Sequence, residues 1–370
     1  MLSTFPPRLC GLATFAGALS MAMERLGTVV ERVQVDDGRA SPGRDAPTSL
    51  SARRRRVDRA SEALAAGEVA IVQHEFGIFG GRDGDEVLDV LEALTVPSIV
   101  VLHSVPADPT AHQRHVLEAV CAEAGCVVVM AFAAGERLLS SYDVDASRVV
   151  MIPHGATLPV ERRPVALDPV QRPLRLLTWG LLGRGKGIEH VVTALSMLQD
   201  CRTQVRYTVA GATHPNVFAA EGDRYRHSLS RRSWALGVAG AVRFDERYRD
   251  VSALVRFVES HSVVVLPYDS RDQATSGVLV DAIAAGRPVI ATAFPHAVEL
   301  LSDGAGIVVP HRDPLALATA IRSVLRDPER LAAMSARAVE MSSRFSWGTV
   351  AGRYLELCDE LQPAAAGSAS

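Results

Sequence analysis

Val263–Pro288 reads VVVLPYDSRDQATSGVLVDAIAAGRP. A run of β-prone apolar residues closes on Pro267, a polar loop follows, and an apolar helical run opens near Ser276–Gly277 and ends at Gly286 with Pro288 beyond. Gly followed by Pro is a helix stop, because glycine accepts the left-handed turn and proline cannot continue the helix. A strand of valines without polar alternation is one buried on both faces, as in a parallel sheet. The segment therefore reads as strand, loop, helix and next strand, the repeating unit of an α/β domain.

The same alternation extends in both directions. Before the midpoint, strands are expected at Thr28–Val35, Val69–Gln73, Ser98–His103, Val127–Met130 and Val149–Ile152, with helices at Ser51–Ala66, Asp85–Leu94, Ala111–Ala124 and Gly135–Ser141. A second series starts at Leu174–Trp179 and continues through Gln204–Ala210, Ala241–Phe244, Ser262–Pro267, Pro288–Thr292 and Gly306–Val309. Between them Pro159, Pro164, Pro169 and Pro173 mark a linker. The expectation is an α/β chain of two Rossmann-like doubly wound domains facing across a cleft: residues 1–157, a linker over 158–173, and residues 174–345. A last helix over 346–361 can return to the first domain, with a frayed tail after Gln362. Asp36–Thr48, rich in Gly, Pro, Asp and Arg, reads as a mobile loop. Leu9–Met23 could pass for a signal-peptide core, but the Gly27 stop and the VVERVQV that follows favour a short strand and a helix over about Ala13–Leu26.

The 370 residues, 48% hydrophobic and 22% charged, are enough for two cores. A net charge of −3 gives no reason to expect nucleic acid, and no apolar run reaches the roughly 18 residues of a membrane span. Five scattered cysteines without a C-x-x-C pair point to a reducing, cytoplasmic setting and away from a zinc site.

Two segments carry candidate chemistry. Arg175–His190 reads RLLTWGLLGRGKGIEH, a strand running into Gly180, Gly183, Gly185 and Gly187 with Arg184 and Lys186 among them. Glycines let backbone N–H groups approach a phosphate, and the following helix adds positive potential. It is one residue from a P-loop, but Gly187 stands where a Ser or Thr would hold Mg²⁺. The second is the helix start at Thr275, Ser276 and Gly277, whose orphan amides form another anion site; Asp281 lies one turn further in, where its carboxylate could accept bonds from ribose hydroxyls. The strand ends at Ala210–Gly211 and Val242–Phe244 are candidates for a base pocket. In the first domain His74, His103 and His154 end strands and so line a carboxyl edge. His74–Glu75 is a candidate substrate contact, and the Gly80–Gly81 loop could accept a sugar or a phosphate. Arg53–Arg56, four arginines opening a helix, read mainly as a solvated face, with weak contact to anionic lipid as the functional alternative.

Gln273 and Asp281, separated by seven residues and followed by AIAAGRPVIAT, resemble the E-x7-E region of the retaining family 4 glycosyltransferases (glycosyl transferases group 1, with the GT-B fold). The similarity includes Gly11 in CGLATF, VVLHS, IPHG at 152–155, Lys186-Gly187, and HAVELL and GIVVP within 296–310. It implies a nucleotide-diphosphate sugar on the second domain and an acceptor on the first, transfer with retention, and neither metal nor cofactor. It gives Asp281 the ribose, Lys186 the diphosphate, His103 the sugar and Gly11 the first-domain glycine loop. Gln273 stands where the family has a sugar-contacting carboxylate. The family's arginine upstream of the lysine is also missing, since Gly180 and Leu181 occupy those positions; Arg184 is the candidate substitute. The implied acceptors are carbohydrates, polyols or lipid-linked groups. The alternatives are a sugar phosphorylase of the same fold and a non-catalytic sugar-nucleotide binding protein.

Overall fold

The computed structural model describes residues 1–8, 10–36, 50–161, 164–165, 173–201, 204–247 and 249–362. Beyond Asp36, the loop expected over Asp36–Thr48 lies outside the described residues, as do much of the Pro-rich linker and the tail. The chain divides into two compact units: Met1–Gly155 with Trp347–Ser370, and Ala156–Ser346.

The first unit holds strands β1 (Leu2–Ser3), β2 (Val33–Gln34), β3 (Ala70–His74), β4 (Ser98–Leu102), β5 (Cys126–Val129) and β6 (Val149–Met151), all parallel in the order β2-β1-β3-β4-β5-β6. The apolar run near the N-terminus is a core helix, α1 (Gly11–Arg25). It is capped by Cys10, whose sulfur accepts from Ala13 N, and it buries Phe15, Ala16, Leu19 and Met23. The returning C-terminal helix, α14 (Trp347–Leu361), buries Val350, Ala351, Tyr354 and Leu357 in the same core.

Two expectations are corrected here. The eight-residue strand at Thr28–Val35 shrinks to β2, because its only sheet neighbour, β1, offers two residues to pair with, and Val29 is left 95% exposed. The four arginines are not simply a solvated face. They lie in α2 (Leu50–Ala65), where Arg54 and Arg55 are exposed but Arg53 and Arg56 reach α3 (Glu86–Glu92) and the residue before it. Arg56 clasps Glu86 at 2.7 and 2.8 Å, with both side chains largely buried, and Arg53 pairs with Asp89 and Asp85.

The second unit holds β7 (Leu174–Trp179), β8 (Val205–Ala210), β9 (Val242–Asp245), β10 (Val263–Leu266), β11 (Val289–Thr292) and β12 (Gly306–Val309), parallel in the order β12-β11-β10-β7-β8-β9. Strand side chains alternate between faces. Leu176, Tyr207 and Val265 therefore join one core with α6 (Ile188–Ser196), α8 (Arg224–Ala235) and α12 (Pro314–Arg326). Leu177, Val264 and Leu266 join the other with α10 (Gly277–Ala284) and α13 (Pro328–Met341). Two doubly wound parallel sheets, one per unit, are thus present.

Candidate functional site

In the second unit the loops after β7 and β10 meet at the carboxyl edge of the sheet. Asp269 N donates to Gly185 O at 2.9 Å. Gly187, at φ +66°, lies so close to the Pro267 carbonyl that a Cβ there would fall 1.7 Å from its oxygen. Only glycine fits that backbone and that approach. The turn aims Lys186 at the aromatic residue after Pro267: its Nζ sits 4.5 Å from the centroid of the Tyr268 ring. Burial holds the ammonium below the usual lysine range, and among the described residues no carboxylate pairs with it. Burial pushes the Tyr268 hydroxyl up, and the nearby Ser276 side chain opposes that push. Ser276 caps α10, its Oγ accepting from Leu279 N at 3.3 Å. Lysine, tyrosine and helix start are therefore one assembly, with the Tyr268 ring stacked on buried Phe294 at 5.3 Å beneath it.

Not all of the amides expected at this helix start are available. Ser276 N donates to His296 Nδ1 at 2.9 Å, so it is not an open anion donor. Thr275 and Gly277 keep theirs, and both are half-buried. Asp281, one helical turn in, has its carboxyl pushed up to about 7 by burial, and among the described residues nothing donates to it. Gln273 is half-buried in the loop before the cap. Arg184 is not brought to Lys186: it is 76% exposed and faces Glu221 of α7 (Pro215–Glu221), at 3.3 Å through Nε and 3.2 Å through Nη2. The neighbouring carboxylate takes the guanidinium away from the site.

Beside this assembly, Glu189, His190 and Asp269 place one ligand atom each within 4.8 Å of one another, the one such group found among the described residues. His190 Nε2 lies 3.0 Å from Asp269 Oδ1, Arg312 Nε lies 3.3 Å from the same oxygen, and Tyr225 donates to Glu189 at 2.7 Å. With a guanidinium already on the aspartate, the group works as a clamp between α6 and the loop after β10. At the strand ends expected to hold a base, Gly211 (φ +121°) donates to Asp245 O at 2.8 Å, and a Cβ on it would meet the Gly180 carbonyl at 2.0 Å.

In the first unit the three histidines lie at the carboxyl edge. His103 and His154 each stand edge-on to Phe15 at 4.9 Å, and Trp347 joins them at 5.3 Å from Phe15. His103 Nε2 lies 2.7 Å from Gln73 Oε1, and burial with the nearby His154 and His74 lowers its pKa to about 3, so the ring is neutral. His154, lowered to about 4 by burial, contacts Gly155 O at 2.7 Å. His74 is fully buried, its pKa lowered to about 4 for the same reason, and among the described residues neither ring nitrogen has a partner. Glu75 accepts from Ser104 Oγ and from Phe76 N, and burial raises its pKa. Gly11 opens α1, with open space where its Cβ would be.

The Gly80–Gly81 loop has a packing reason for its glycines. A Cβ on Gly80 would fall 2.6 Å from the Glu86 carboxylate, and one on Gly81 would fall 2.0 Å from Asp85 Oδ1. Both carboxylates are already engaged, Glu86 by Arg56 and Asp85 by Arg53. Sequence reading passed over Tyr268 and His296. The signal available was an aromatic residue directly after a buried strand's carboxyl end, the place where open α/β sheets bind ligands.

Two doubly wound parallel α/β units, one with a glycine-lysine turn and a capped helix at its carboxyl edge, are the architecture of the GT-B fold. Residues 163–341 match the model of the family described as glycosyl transferases group 1. The D-inositol 3-phosphate glycosyltransferase of Stackebrandtia nassauensis is 26% identical over 325 residues, covering 83% of this chain and 72% of the relative. Matches to other relatives of that name span less of their length, 34% for Catenulispora acidiphila and 41% for Corynebacterium urealyticum. Among solved structures, sucrose-phosphate synthase from Thermosynechococcus elongatus aligns with a TM-score of 0.74 at 20% identity, covering 95% of this chain and 94% of that one. Anabaena HepE in complex with UDP aligns at 0.69 and 17% identity, covering 93% and 90%. The second unit thus matches the glycosyl transferases group 1 family, and the chain as a whole shares the fold of these structures. Among the described residues no helix is long and apolar enough to cross a membrane.

Proposed function

We propose that the protein moves a glycosyl group from a nucleoside diphosphate sugar to a hydroxyl acceptor, with retention and without a metal. The observation that carries this reading is the half-buried Lys186 ammonium over the Tyr268 ring, near the start of α10 and with no carboxylate paired to it among the described residues. A positive charge kept partly out of water without a carboxylate beside it is suited to an anion that arrives with the substrate. In this reading Lys186 and the Thr275 and Gly277 amides stabilise the negative charge that grows on the leaving diphosphate as the glycosidic bond breaks. The acceptor oxygen forms the new bond on the same sugar face, and its proton passes to the departing phosphate oxygen. Asp281 receives the ribose hydroxyls, and Gln273 orients sugar hydroxyls as a neutral amide. In the first unit, neutral His103 is the candidate sugar contact, and His154, His74 and Glu75 bound the acceptor region. Arg184 takes part only after leaving Glu221.

The relatives' name suggests a phosphorylated polyol as acceptor, and the UDP complex of HepE suggests uracil as base. The test is transfer from UDP-, GDP- and ADP-sugars to inositol phosphate and to other polyols, with the anomeric configuration of the product read by NMR. A product of inverted configuration would reject retention, and a chelator that abolished turnover would reject metal independence. A second reading, a sugar-nucleotide binding protein without catalysis, is favoured by Gln273 and by the engagement of Arg184 with Glu221. It predicts nucleotide binding with neither transfer nor donor hydrolysis.

A further inference from the structure

At the opposite, amino-terminal end of the second unit's sheet, arginines stand at matched positions. Arg175 and Arg206 are each the second residue of their strands, β7 and β8, and are direct cross-strand partners. Thr208, two residues along β8, pairs with Arg243 of β9. The period-two alternation puts all four on one sheet face, the face that carries Leu177 and Trp179 further along β7. Beside them ends α9 (Val251–Glu259), and His261 Nε2 lies 3.2 Å from Thr208 Oγ1. These residues, with Phe257 and Ser260, line a cavity of ≈ 410 Å³, and no carboxylate is among its lining residues.

Like charges directly opposite each other weaken a sheet, and parallel sheets normally have both faces covered. Here one face starts with two facing guanidiniums and a third one strand away. Among the described residues Arg175 has no carboxylate partner. Asp245, the acid nearest Arg243 at 3.6 Å, is already held by Arg247 and Arg249, each at 2.7 Å. The charge of the neighbouring arginines is felt by His261: burial lowers its pKa first, against a bond to the Phe257 carbonyl that raises it, and Arg175, Arg249 and Arg243 then lower it further. Guanidinium forks match phosphate oxygens in pairs, and the volume lies in the range of small-molecule sites.

We propose that the cavity lined by Arg175, Arg206, Arg243 and His261 binds a soluble phosphorylated small molecule. The site is separate from the donor edge, since five residues of strand from Arg175 to Gly180 span about 17 Å.

Inorganic pyrophosphate serves as the probe, titrated calorimetrically into the full chain carrying Lys186→Ala, which removes the cation at the other anion site. The expected result is that this protein still binds pyrophosphate. Adding Arg175→Gln and Arg206→Gln should weaken that binding at least tenfold. The two arginine changes alone, in a chain with Lys186 intact, should leave UDP affinity unchanged, which also shows that the variant folds. If the double change unfolds the chain, Arg175→Gln alone is followed by NMR, and pyrophosphate should move the His261 ring resonances in the parent but not in the variant. Equal pyrophosphate affinity with and without the arginines, or no binding in the Lys186→Ala protein, overturns the proposal. Sedimentation with phosphatidylglycerol vesicles that depends on these arginines, without heat from pyrophosphate, overturns the soluble ligand in favour of a lipid headgroup.

Discussion

An ammonium 4.5 Å above a tyrosine ring keeps part of its charge stabilised by the ring's face, but it has given up water to get there. An arriving diphosphate restores what burial removed, which makes Lys186 worth more in the transition state than in the empty site. Lys186→Ala should therefore lower kcat by on the order of 10²-fold or more, the size seen when a charge-stabilising group is lost. Near-normal turnover would remove the lysine from the chemistry. Asp281 makes a prediction with a definite sign. Its carboxyl is pushed up to about 7 in the folded chain by burial, against 3.8 for an ordinary aspartate. Between those values the folded chain holds a proton that the unfolded chain has lost, so this group lowers stability as pH rises from about 4 to 7 and adds no further dependence above. Asp281→Asn should raise the melting temperature of the ligand-free protein at pH 8, with the gain shrinking toward pH 4. Ribose hydroxyls favour the charged form, so affinity for UDP-glucose should rise as pH increases through 7 in the parent and stay flat in the variant. A parent whose affinity does not change between pH 6 and 8 would reject the ribose contact. Neither Lys186 over Tyr268 nor the Ser276–His296 bond was legible in the sequence, because each joins residues from separate loops. The local backbone around Lys186 and Asp281 was legible, because glycine spacing and a helix stop fix it.

At the scale of elements, patterning carried most of the strands and failed where pairing decides. Leu174–Trp179 and Gly306–Val309 were read with the bounds the structure gives, since each is a short β-prone run closed by a breaker, Gly180 in one case and Pro310 in the other. β2 was read as a long strand because VVERVQV has the composition of one, yet strand length there is limited by the two residues of β1. The arginine run shows the same limit. Composition calls it solvated, but helical geometry turns every third or fourth residue to the same side. Arg53 and Arg56 are three apart and face α3, whereas Arg54 and Arg55 face solvent. Removing one partner of a buried pair leaves the other charge stranded, so Arg56→Ala should cost about 3 kcal/mol in urea unfolding. Arg54→Ala and Arg55→Ala should stay within roughly 0.5 kcal/mol. Equal effects of all three would return the quartet to a uniform solvated face.

The whole molecule is built from a chain that leaves its first unit at Gly155 and re-enters it at Trp347. The re-entry is fixed by shape: a Cβ on Gly155 would fall 2.2 Å from the Trp347 ring, so the glycine is what lets the indole close against the chain. Val350, Ala351, Tyr354 and Leu357 then complete a core that α1 begins. Burial of a large apolar side chain contributes about 1.5–3 kcal/mol, and a whole domain holds only about 5–15 kcal/mol. Loss of α14 therefore removes much of what keeps the first unit folded and none of the core of the second. A chain ending at Ser346 should lose one calorimetric transition and keep the other. The surviving transition should still rise with UDP, by about 2.7 kcal/mol at a hundred times Kd, because Lys186, Tyr268, Ser276 and Asp281 all belong to the second unit. If UDP no longer shifted that transition, nucleotide recognition would need the first unit as well, and assignment of the donor to the second unit alone would fail.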